Sequence, residues 1–331
     1  MPPADPGTLQ ALAQSVETFH LLTSALELGI FDALMTPKDA NELADELGLN
    51  PTITRKCCRA LTGSRFLECQ EEKYNLTDIS QTFLLKFSPF YQGDIIALIK
   101  NNRIKRWGNL PKALETGPIG FEENSAIAFD ERFIRAMAQG AMRGDLQRTI
   151  AILVEHQGFT HARRLLDLGG GHGFYSIALT HLNPYLHACV FDLPAVVETV
   201  TRKNISAYGA DRVMAKSGDF TRDELGEGYD IVFASDILYR PKETLKPILD
   251  KIYTGLKEGG LFISKHWHID DLVKDITAVY FDLKFSITEE AERLYSTEEF
   301  SRILESQGFL IEAIHNTNHP SRIIIARKIK E

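Results

Sequence analysis

The sequence predicts an α/β protein in which a mostly helical N-terminal domain precedes a doubly wound sheet with helices on both faces. Strand-like and helix-like segments alternate from Arg163 onward, a pattern typical of such sheets. A glycine-rich turn at 169–173 joins an apolar strand to a helix. The length of 331 residues suits two domains, and the 44% hydrophobic and 25% charged residues suit ordinary folded cores.

The N-terminal domain has the element order of a winged helix. Apolar residues recur at helical spacing from Gly7 to Leu34. Two more helices, joined by a turn that contains glycine, are predicted between Asn41 and Leu61. Two short strands are predicted next, at Phe66–Glu68 and Lys73–Leu76.

The boundary between the two domains is predicted near residue 155. The segment 79–155 is mostly helical and ends in one predicted long helix, from near Asp130 to near His156. We therefore expect a mostly helical domain at 1–155 and a domain that contains the sheet at 156–331. Seven strands are predicted in the second domain: Arg164–Leu168, His187–Phe191, Arg212–Lys216, Asp230–Ala234, Leu261–His266, Phe309–His315 and Arg322–Arg327.

The glycine-rich turn is the strongest indication of a ligand site. The segment Leu165–Gly173 reads Leu-Leu-Asp-Leu-Gly-Gly-Gly-His-Gly, and a helix follows it. Glycine permits positive φ and close approach of the backbone to a ligand, and the helix N-terminus attracts an anionic group. Asp192, at the end of the next strand, is placed to accept hydrogen bonds from ribose hydroxyls. Both NAD and S-adenosylmethionine satisfy that arrangement.

Two features favour S-adenosylmethionine over NAD. Asp167 ends the strand before the glycine turn, where its charge suits a sulfonium and an amino group. Asp219 and Phe220 end the third strand, where the carboxylate accepts from an adenine amino group and the ring covers the adenine face. Gly169, Gly171 and Gly173 are then expected to hold the methionine end of the cofactor.

The chain resembles the small-molecule O-methyltransferases that carry an N-terminal winged-helix dimerisation domain, of the plant caffeate type and the bacterial antibiotic type. The resemblance implies a class I methyltransferase fold, Rossmann-like, that binds S-adenosylmethionine above the sheet and forms a homodimer. It makes 1–155 the winged-helix dimerisation and substrate-lid domain, and 156–331 the S-adenosylmethionine-binding catalytic domain. It places Leu193 with Asp192 at the ribose, and Ser235 and Asp236 beside the cofactor. The matching segments are Asp167–Gly173, Phe191–Pro194, Gly218–Phe220, Leu256–Gly260 and the substrate-facing helix segment Phe133–Met137.

The chain departs from this family at the catalytic base. Tyr239 stands where the family's His is expected, and Arg240 where its Asp is expected. A tyrosine, with a reference pKa of about 10, is a poor base at neutral pH. A thioether sulfur carries no proton, and a carbon acceptor loses its proton only after the methyl group has arrived.

The departure favours S- or C-methylation, as in the relatives that lack this His, the bacteriochlorophyllide C-methyltransferase and the methylthiohydroxybutyrate S-methyltransferase. The alternative is methylation of a hydroxyl by a relocated base. In that case His266, or His268, lies close to the cofactor face at the end of the fifth strand. A metal site formed by these histidines with Asp270 and Asp271 is also open, but no second ligand cluster supports it, and we predict no metal.

A face of the predicted long helix carries Arg132, Arg135, Gln139 and Arg143. Arginine binds carboxylates in a bidentate manner, so this face, and Arg143 in particular, would bind an acidic acceptor if it points into the site. The alternative is a solvated stripe. We count Tyr239, His266 and Arg143 as the candidate catalytic residues.

The remaining function classes are disfavoured by composition and motif. A net charge of −8 argues against nucleic-acid binding, including a winged-helix DNA-binding regulator. An NAD-dependent oxidoreductase would not need Asp219 and Phe220, and a binding protein without catalysis remains open because the His is missing. No apolar run spans a bilayer, no secretion signal is apparent, and four cysteines without a CxxC pair indicate a cytoplasmic protein.

Overall fold

The computed structural model describes residues 6–120, 129–288, 294–317 and 320–329. The chain separates into two compact units that divide between Asn101 and Asn102. The predicted boundary near residue 155 marks the start of strand–helix alternation, whereas the compact units divide earlier in the chain. None of the helices in the described ranges is long and apolar enough to cross a bilayer.

The first unit is helical, with one small antiparallel hairpin. Its helices are α1 (Gly7–Glu27), α2 (Ile30–Ala33), α3 (Ala40–Leu47), α4 (Pro51–Gly63), α5 (Asp78–Phe83) and α6 (Gly93–Leu98), and its strands are β1 (Leu67–Gln70) and β2 (Lys73–Leu76). Asp39 caps α3 by accepting from the backbone N–H groups of Asn41 and Glu42, and Glu42 completes the capping box. Glu71 and Glu72 turn the hairpin with positive φ, as a tight two-residue turn requires.

The second unit contains the main sheet. A π-helical segment, Ile99–Arg103, leads into it from the first unit, and a second one covers Val197–Thr201. The helices are α7 (Ile104–Gly108), α8 (Leu110–Thr116), α9 (Glu131–Ala141), α10 (Asp145–Glu155), α11 (Gln157–His161), α12 (Phe174–Leu182), α13 (Pro194–Val196), α14 (Arg202–Ala207), α15 (Lys242–Gly255), α16 (Ile276–Ser286) and α17 (Thr297–Glu305). The strands are β3 (Arg164–Leu168), β4 (His187–Asp192), β5 (Val213–Ser217), β6 (Tyr229–Ser235), β7 (Leu256–Trp267), β8 (Phe309–Asn316) and β9 (Ser321–Lys328).

The described strands of this unit form one sheet in the order β5-β4-β3-β6-β7-β9-β8. Strands β3 to β7 pair in parallel, and β9 pairs antiparallel with both β7 and β8. The chain winds outward from β3 through β4 to β5, then returns to the other side of β3 at β6. That reversal creates a crevice at the carboxyl ends of β3 and β6, where ligands bind in doubly wound folds. The predicted sheet is confirmed.

The predicted single helix from Asp130 to His156 is wrong, because it is two helices. Helix α9 ends at Ala141 and α10 begins at Asp145. Gly144 between them has a φ of 108°, which no continuing α-helix adopts and which glycine tolerates. Leu146, Ile150 and Leu153 of α10 then pack into the core on one face of the sheet.

Candidate active site

The glycine turn after β3 is built on positive φ at Gly169, Gly171 and Gly173. The Gly169 N–H donates to the carbonyl of Phe191 at 2.8 Å, which ties the turn to β4. A Cβ on Gly169 would lie 2.9 Å from Cγ2 of Ile237, so no larger residue fits there. Gly173 is the N-cap residue of α12, so this helix begins directly after the turn.

Asp192, at the end of β4, spans the turn with both carboxylate oxygens. Its Oδ2 accepts from the N–H of Gly171 at 2.7 Å, and its Oδ1 accepts from the N–H of Leu193 at 2.7 Å. Burial raises the pKa of this carboxyl, although the two N–H donors act in the opposite direction. Each carboxylate oxygen keeps a further lone pair, so the group can still accept from ribose hydroxyls.

Asp167 lies beneath the turn. Its carboxylate is buried and accepts from the Ser176 hydroxyl at 2.8 Å. A Cβ on Gly170 would meet the carboxyl carbon at 2.6 Å, so the turn passes directly over it. Burial raises the pKa of Asp167 to about 7, and the charge of Asp192 adds to the effect. Asp167 therefore supports the turn and α12 from below.

Helix α9 approaches the turn from the other side. Cγ2 of Ile134 lies 3.9 Å from the position that a Cβ on Gly171 would occupy. Ile134 also packs with Val196 and Val200, and with the partly buried Phe133 and Leu193. The helix segment that resembles the family's substrate-facing helix thus lies against the glycine turn.

Asp219 and Phe220 follow β5 and are tied to Asp192 by the neighbouring Gly218, whose N–H donates to the Asp192 carbonyl at 2.9 Å. Oδ1 of Asp219 accepts from the Thr221 hydroxyl at 2.6 Å and from its N–H at 2.9 Å, and these bonds hold the pKa of Asp219 below its usual value. Phe220 packs its ring against the core, and the Arg240 guanidinium lies 5.7 Å from the ring centroid. The segment that carries Asp219 and Phe220 therefore begins beside the end of β4.

Asp236, after β6, is the centre of a charged network. It has a φ of 58°, unusual for a residue other than glycine. Its Oδ2 accepts from Lys265 Nζ at 2.8 Å and from the Ser235 hydroxyl at 3.1 Å. Lys265 is buried and also pairs with Asp145 at 2.7 Å. Burial favours the protonated form of Asp236, but the charge of Lys265 outweighs it and holds the pKa below its usual value.

Tyr239 is fixed by this network. Its hydroxyl donates to Asp236 Oδ1 at 2.5 Å and accepts from the Trp267 N–H at 3.0 Å. The buried ring stands edge-on to His266 and Phe281, at centroid distances of 5.3 and 5.2 Å. With its proton directed to Asp236, Tyr239 forms a rigid wall of the site.

His266 is engaged at both ring nitrogens. Its Nε2 accepts from the N–H groups of Ile237 and Leu238 at 3.1 and 3.0 Å, and its Nδ1 bonds the Ser264 hydroxyl at 2.8 Å. Burial lowers the pKa of His266 to about 3, so the ring is neutral. The geometry leaves His266 no nitrogen with which to remove a proton, and its observed role is to hold the 236–238 loop.

His268 is also buried, with Nδ1 on the carbonyl of Tyr295 at 3.2 Å, and burial lowers its pKa to about 4. Asp270 bonds Thr297 instead of joining the histidines, and Asp271 caps its own turn. Within the described ranges no three His, Cys, Asp or Glu side chains come together as metal ligands would.

Comparison with known proteins identifies the family to which this chain belongs. The O-methyltransferase domain family matches residues 116–310, and the O-methyltransferase dimerisation domain matches residues 11–86. The chain belongs to the O-methyltransferase family. A protein of Methanocaldococcus jannaschii of uncharacterised activity is 34% identical over 76% of this chain and 67% of its own. The N,N-dimethyltransferase OxyT of Streptomyces rimosus is 25% identical over 91% of both chains.

Solved structures of methyltransferases share the fold of this chain. Human N-acetylserotonin methyltransferase in complex with S-adenosylmethionine superposes with a TM-score of 0.82 and 22% identity over the full length of both chains. Other similar proteins carry names that specify transfer to oxygen, nitrogen or carbon. This member of the family is a methyltransferase, and its cofactor is S-adenosylmethionine.

Two residues of the network escaped sequence reasoning. Lys265 pairs with both Asp236 and Asp145, and Lys265 and Asp145 lie 120 residues apart in sequence (145 and 265) and meet only through the fold. The available signal was a lysine within the apolar strand β7, where a charge needs a partner. Arg143, two residues before Asp145, lies in the break between α9 and α10 and is exposed, outside the hydrogen-bond network of Tyr239 and His266.

Proposed function

We propose that the enzyme transfers the methyl group of S-adenosylmethionine to a sulfur or carbon atom of a small molecule. The observation that carries the proposal is the state of Tyr239 and His266, both of which are hydrogen-bonded in ways that leave neither as a base. A thioether sulfur attacks with a lone pair and loses no proton. A carbon acceptor releases its proton after the new bond has formed, when the intermediate is acidic enough for water to take it.

The cofactor would be held by the crevice at β3 and β4. The geometry supports Gly169, Gly171 and Gly173 for the methionine end, because a side chain there would occupy the ligand's space or strain the turn. We assign Asp192 with Leu193 to the ribose and Asp219 with Phe220 to the adenine, with Ser235 and Asp236 beside the transferred group and Asp167 supporting the turn. S-adenosylmethionine supplies an electrophilic methyl on a sulfonium, so the protein's contribution is mainly positioning.

Methylation of a hydroxyl is the second candidate. The Asp236 side chain is ionised and still 37% exposed, and the residue lies beside Ile237, which contacts the glycine turn. If the acceptor is a phenol, Asp236 is a better base than His266, since its carboxylate reaches an accessible space. Its lowered pKa makes it a weak base, and this is why we prefer acceptors that need none.

The dimerisation domain, the cysteines and the net charge support proposals for the oligomeric state, the compartment and the partners. We propose a homodimer formed through the N-terminal unit, whose α3, α4 and hairpin have the order of a winged helix used for association and not for DNA. The four cysteines are free thiols in the structure, which supports a reducing, cytoplasmic setting. The net charge of −8 supports a small-molecule partner over nucleic acid. We further propose that the acceptor is acidic and lies near Arg143.

The test combines binding with turnover. S-adenosylmethionine and S-adenosylhomocysteine are titrated calorimetrically against the full chain and against D192A, for which we expect a loss of about 1–3 kcal/mol of binding free energy. A radiolabelled methyl screen then compares thioether acids, tetrapyrroles and phenols. Turnover of a thioether or ring carbon supports the proposal, and turnover of phenols alone would replace it with the second candidate.

A further inference from the structure

Lys265 is a charged side chain inside the main sheet. It lies in β7 between Ser264 and His266, which are also buried, and only 1% of its side chain is exposed. Burial favours the neutral amine, but the charge of Asp236, with that of Asp145, outweighs it and raises the pKa of Lys265 above its usual value. The group is therefore an ammonium ion with almost no surface to offer a ligand, so it can act on the reaction only through the residues that it contacts.

Asp236, directly after the carboxyl end of β6, is bound by Lys265 at two places. The Lys265 Nζ atom donates to Asp236 Oδ2 at 2.8 Å, and the Lys265 carbonyl accepts from the Asp236 N–H at 2.9 Å. Lys265 thus holds both the side chain and the main chain of a residue whose φ is 58°. Such a conformation costs free energy in a residue other than glycine, and it persists only where surrounding contacts enforce it. The ion pair is one of those contacts.

Ile237 links Asp236 to the glycine turn. It follows Asp236 in the chain, and its Cγ2 atom lies 2.9 Å from the position that a Cβ on Gly169 would occupy. The Ile237 N–H also donates to Nε2 of His266, the residue after Lys265, at 3.1 Å. Two consecutive residues of β7 therefore hold a loop that packs against the turn. Because the peptide bond between them is rigid, a change in the conformation of Asp236 would displace Ile237 from Gly169.

The second partner of Lys265 lies on a different element. Asp145 begins α10, and its carboxylate lies 2.7 Å from Lys265 Nζ. Loss of the Asp145 charge would keep the pair between Lys265 and Asp236, and loss of the Asp236 charge would keep the pair between Lys265 and Asp145. Each contact of the ammonium group can therefore be removed without leaving a buried charge unpaired, which would itself be strongly destabilising.

We propose that Lys265 is a positioning residue for cofactor binding. Its ammonium group fixes Asp236, and Asp236 in turn fixes Ile237 against Gly169 of the turn. Cofactor affinity then depends on a buried residue that touches neither the cofactor nor the acceptor. The proposal rests on the proposed function, since it takes the glycine turn as the place where S-adenosylmethionine binds.

The test is calorimetric titration of S-adenosylhomocysteine into wild type, K265M, D236N, the double variant K265M/D236N and D145N. We expect K265M and D236N each to weaken binding by about tenfold, and the double variant to bind no more weakly than the weaker single variant, because both changes break one link. D145N keeps that link and should lose less than about threefold. K257M is the matched control, since Lys257 pairs with Asp230 near the other end of β7, and it should lose less than about twofold.

Steady-state kinetics with the acceptor found in the methyl screen gives a second readout. In K265M the KM for S-adenosylmethionine should rise by about tenfold while kcat changes by less than about threefold, the pattern of lost binding and not of lost chemistry. A large fall in kcat with an unchanged KM would contradict a role in cofactor binding.

Three binding results would overturn the positioning role. These are losses that add in the double variant, equal losses in D236N and D145N, and unchanged affinity in both K265M and D236N. If K265M does not fold, the comparison of D236N with D145N decides alone, since both keep Lys265 paired. Failure of the proposed cofactor site is separable, because it would appear as unchanged affinity in D192A, whereas a loss in D192A with none in K265M and D236N would contradict only the role of Lys265.

Discussion

Tyr239 stands at the position where the family's base is expected, and removing its hydroxyl distinguishes a structural role from a catalytic one. It donates to Asp236 and accepts from the Trp267 N–H. Removing it in Y239F leaves that N–H without its acceptor, so we expect the free energy of unfolding to fall by about 1–2 kcal/mol. We expect kcat to fall less than about tenfold, whereas loss of a general base costs about 10²–10⁴-fold.

The measurement is urea unfolding together with steady-state methyl transfer to the acceptor found in the screen. Y208F is the matched control, because Tyr208 is exposed and its ring stands edge-on to Phe174. A hundredfold loss of kcat in Y239F with unchanged cofactor affinity would make Tyr239 the base.

Asp167 gives the protein a pH-dependent stability. Its pKa is raised to about 7 in the fold by burial, against about 3.9 in the unfolded chain. Between these values the native state binds the extra proton, so Asp167 makes the free energy of unfolding decrease as pH rises from about 4 to 7, after which the effect is constant. D167N has no such dependence, and it keeps a side chain able to bond Ser176.

We therefore expect the stability difference between D167N and wild type to move in favour of D167N by at least about 1 kcal/mol from pH 5 to pH 8, the equivalent of one pKa unit. Urea unfolding at four pH values, without cofactor, measures it. A difference that is independent of pH would mean that Asp167 is already ionised at pH 5.

At the scale of elements, Gly144 makes the break between α9 and α10, and α10 then begins with Asp145, which pairs with Lys265 of the Asp236 network. Alanine at a φ of 108° is strained, and its Cβ would lie 3.2 Å from the Arg148 guanidinium. We expect G144A to lower the free energy of unfolding by about 1–3 kcal/mol and to raise KM for the acceptor more than it lowers cofactor affinity.

G108A is the control, since Gly108 lies in a helix and a Cβ there meets nothing within 4 Å. It should be neutral or stabilising by up to about 1 kcal/mol. If G144A were as stable and as active as G108A, the break would not position the acceptor site.

The break between α9 and α10 also shows which kind of helix boundary the sequence could not predict. The central strands β3, β4 and β6 were predictable to within a few residues, because each is a mostly apolar run bounded by polar turns. The division of α9 from α10 was not, because helical spacing continues through Gly144 and glycine also occurs inside helices. Only the observed φ distinguishes the two cases.

At the scale of the whole molecule, the turn that carries the glycines and Asp192 was predictable from the sequence, and the charged network around Asp236 was not. Asp192 and the glycines lie within one strand–turn–helix and its neighbour, so local motifs locate them. Lys265, Asp236 and Asp145 come from β7, the loop after β6 and the start of α10, and only the strand order brings them together. The same order buries His266, whose sequence neighbours suggested an accessible base.

Association of two chains is the prediction that belongs to the molecule as a whole. Leu9, Leu12 and Val16 of α1 share one helical face and are 71%, 65% and 55% exposed, which is a large apolar surface to leave in water. The match to a dimerisation domain covers most of this helix. We expect the wild-type chain to sediment at twice its 37.2 kDa.

A charge on that face opposes association, because burying an unpaired carboxylate costs several kcal/mol. L12D should therefore sediment as a 37.2 kDa monomer at micromolar concentration, while Q14D, on the opposite side of the same helix, should stay dimeric. Analytical ultracentrifugation of both variants measures their oligomeric state. A dimer in L12D would place the contact elsewhere on the N-terminal unit, and a monomer in both would indicate that α1 itself had been destabilised.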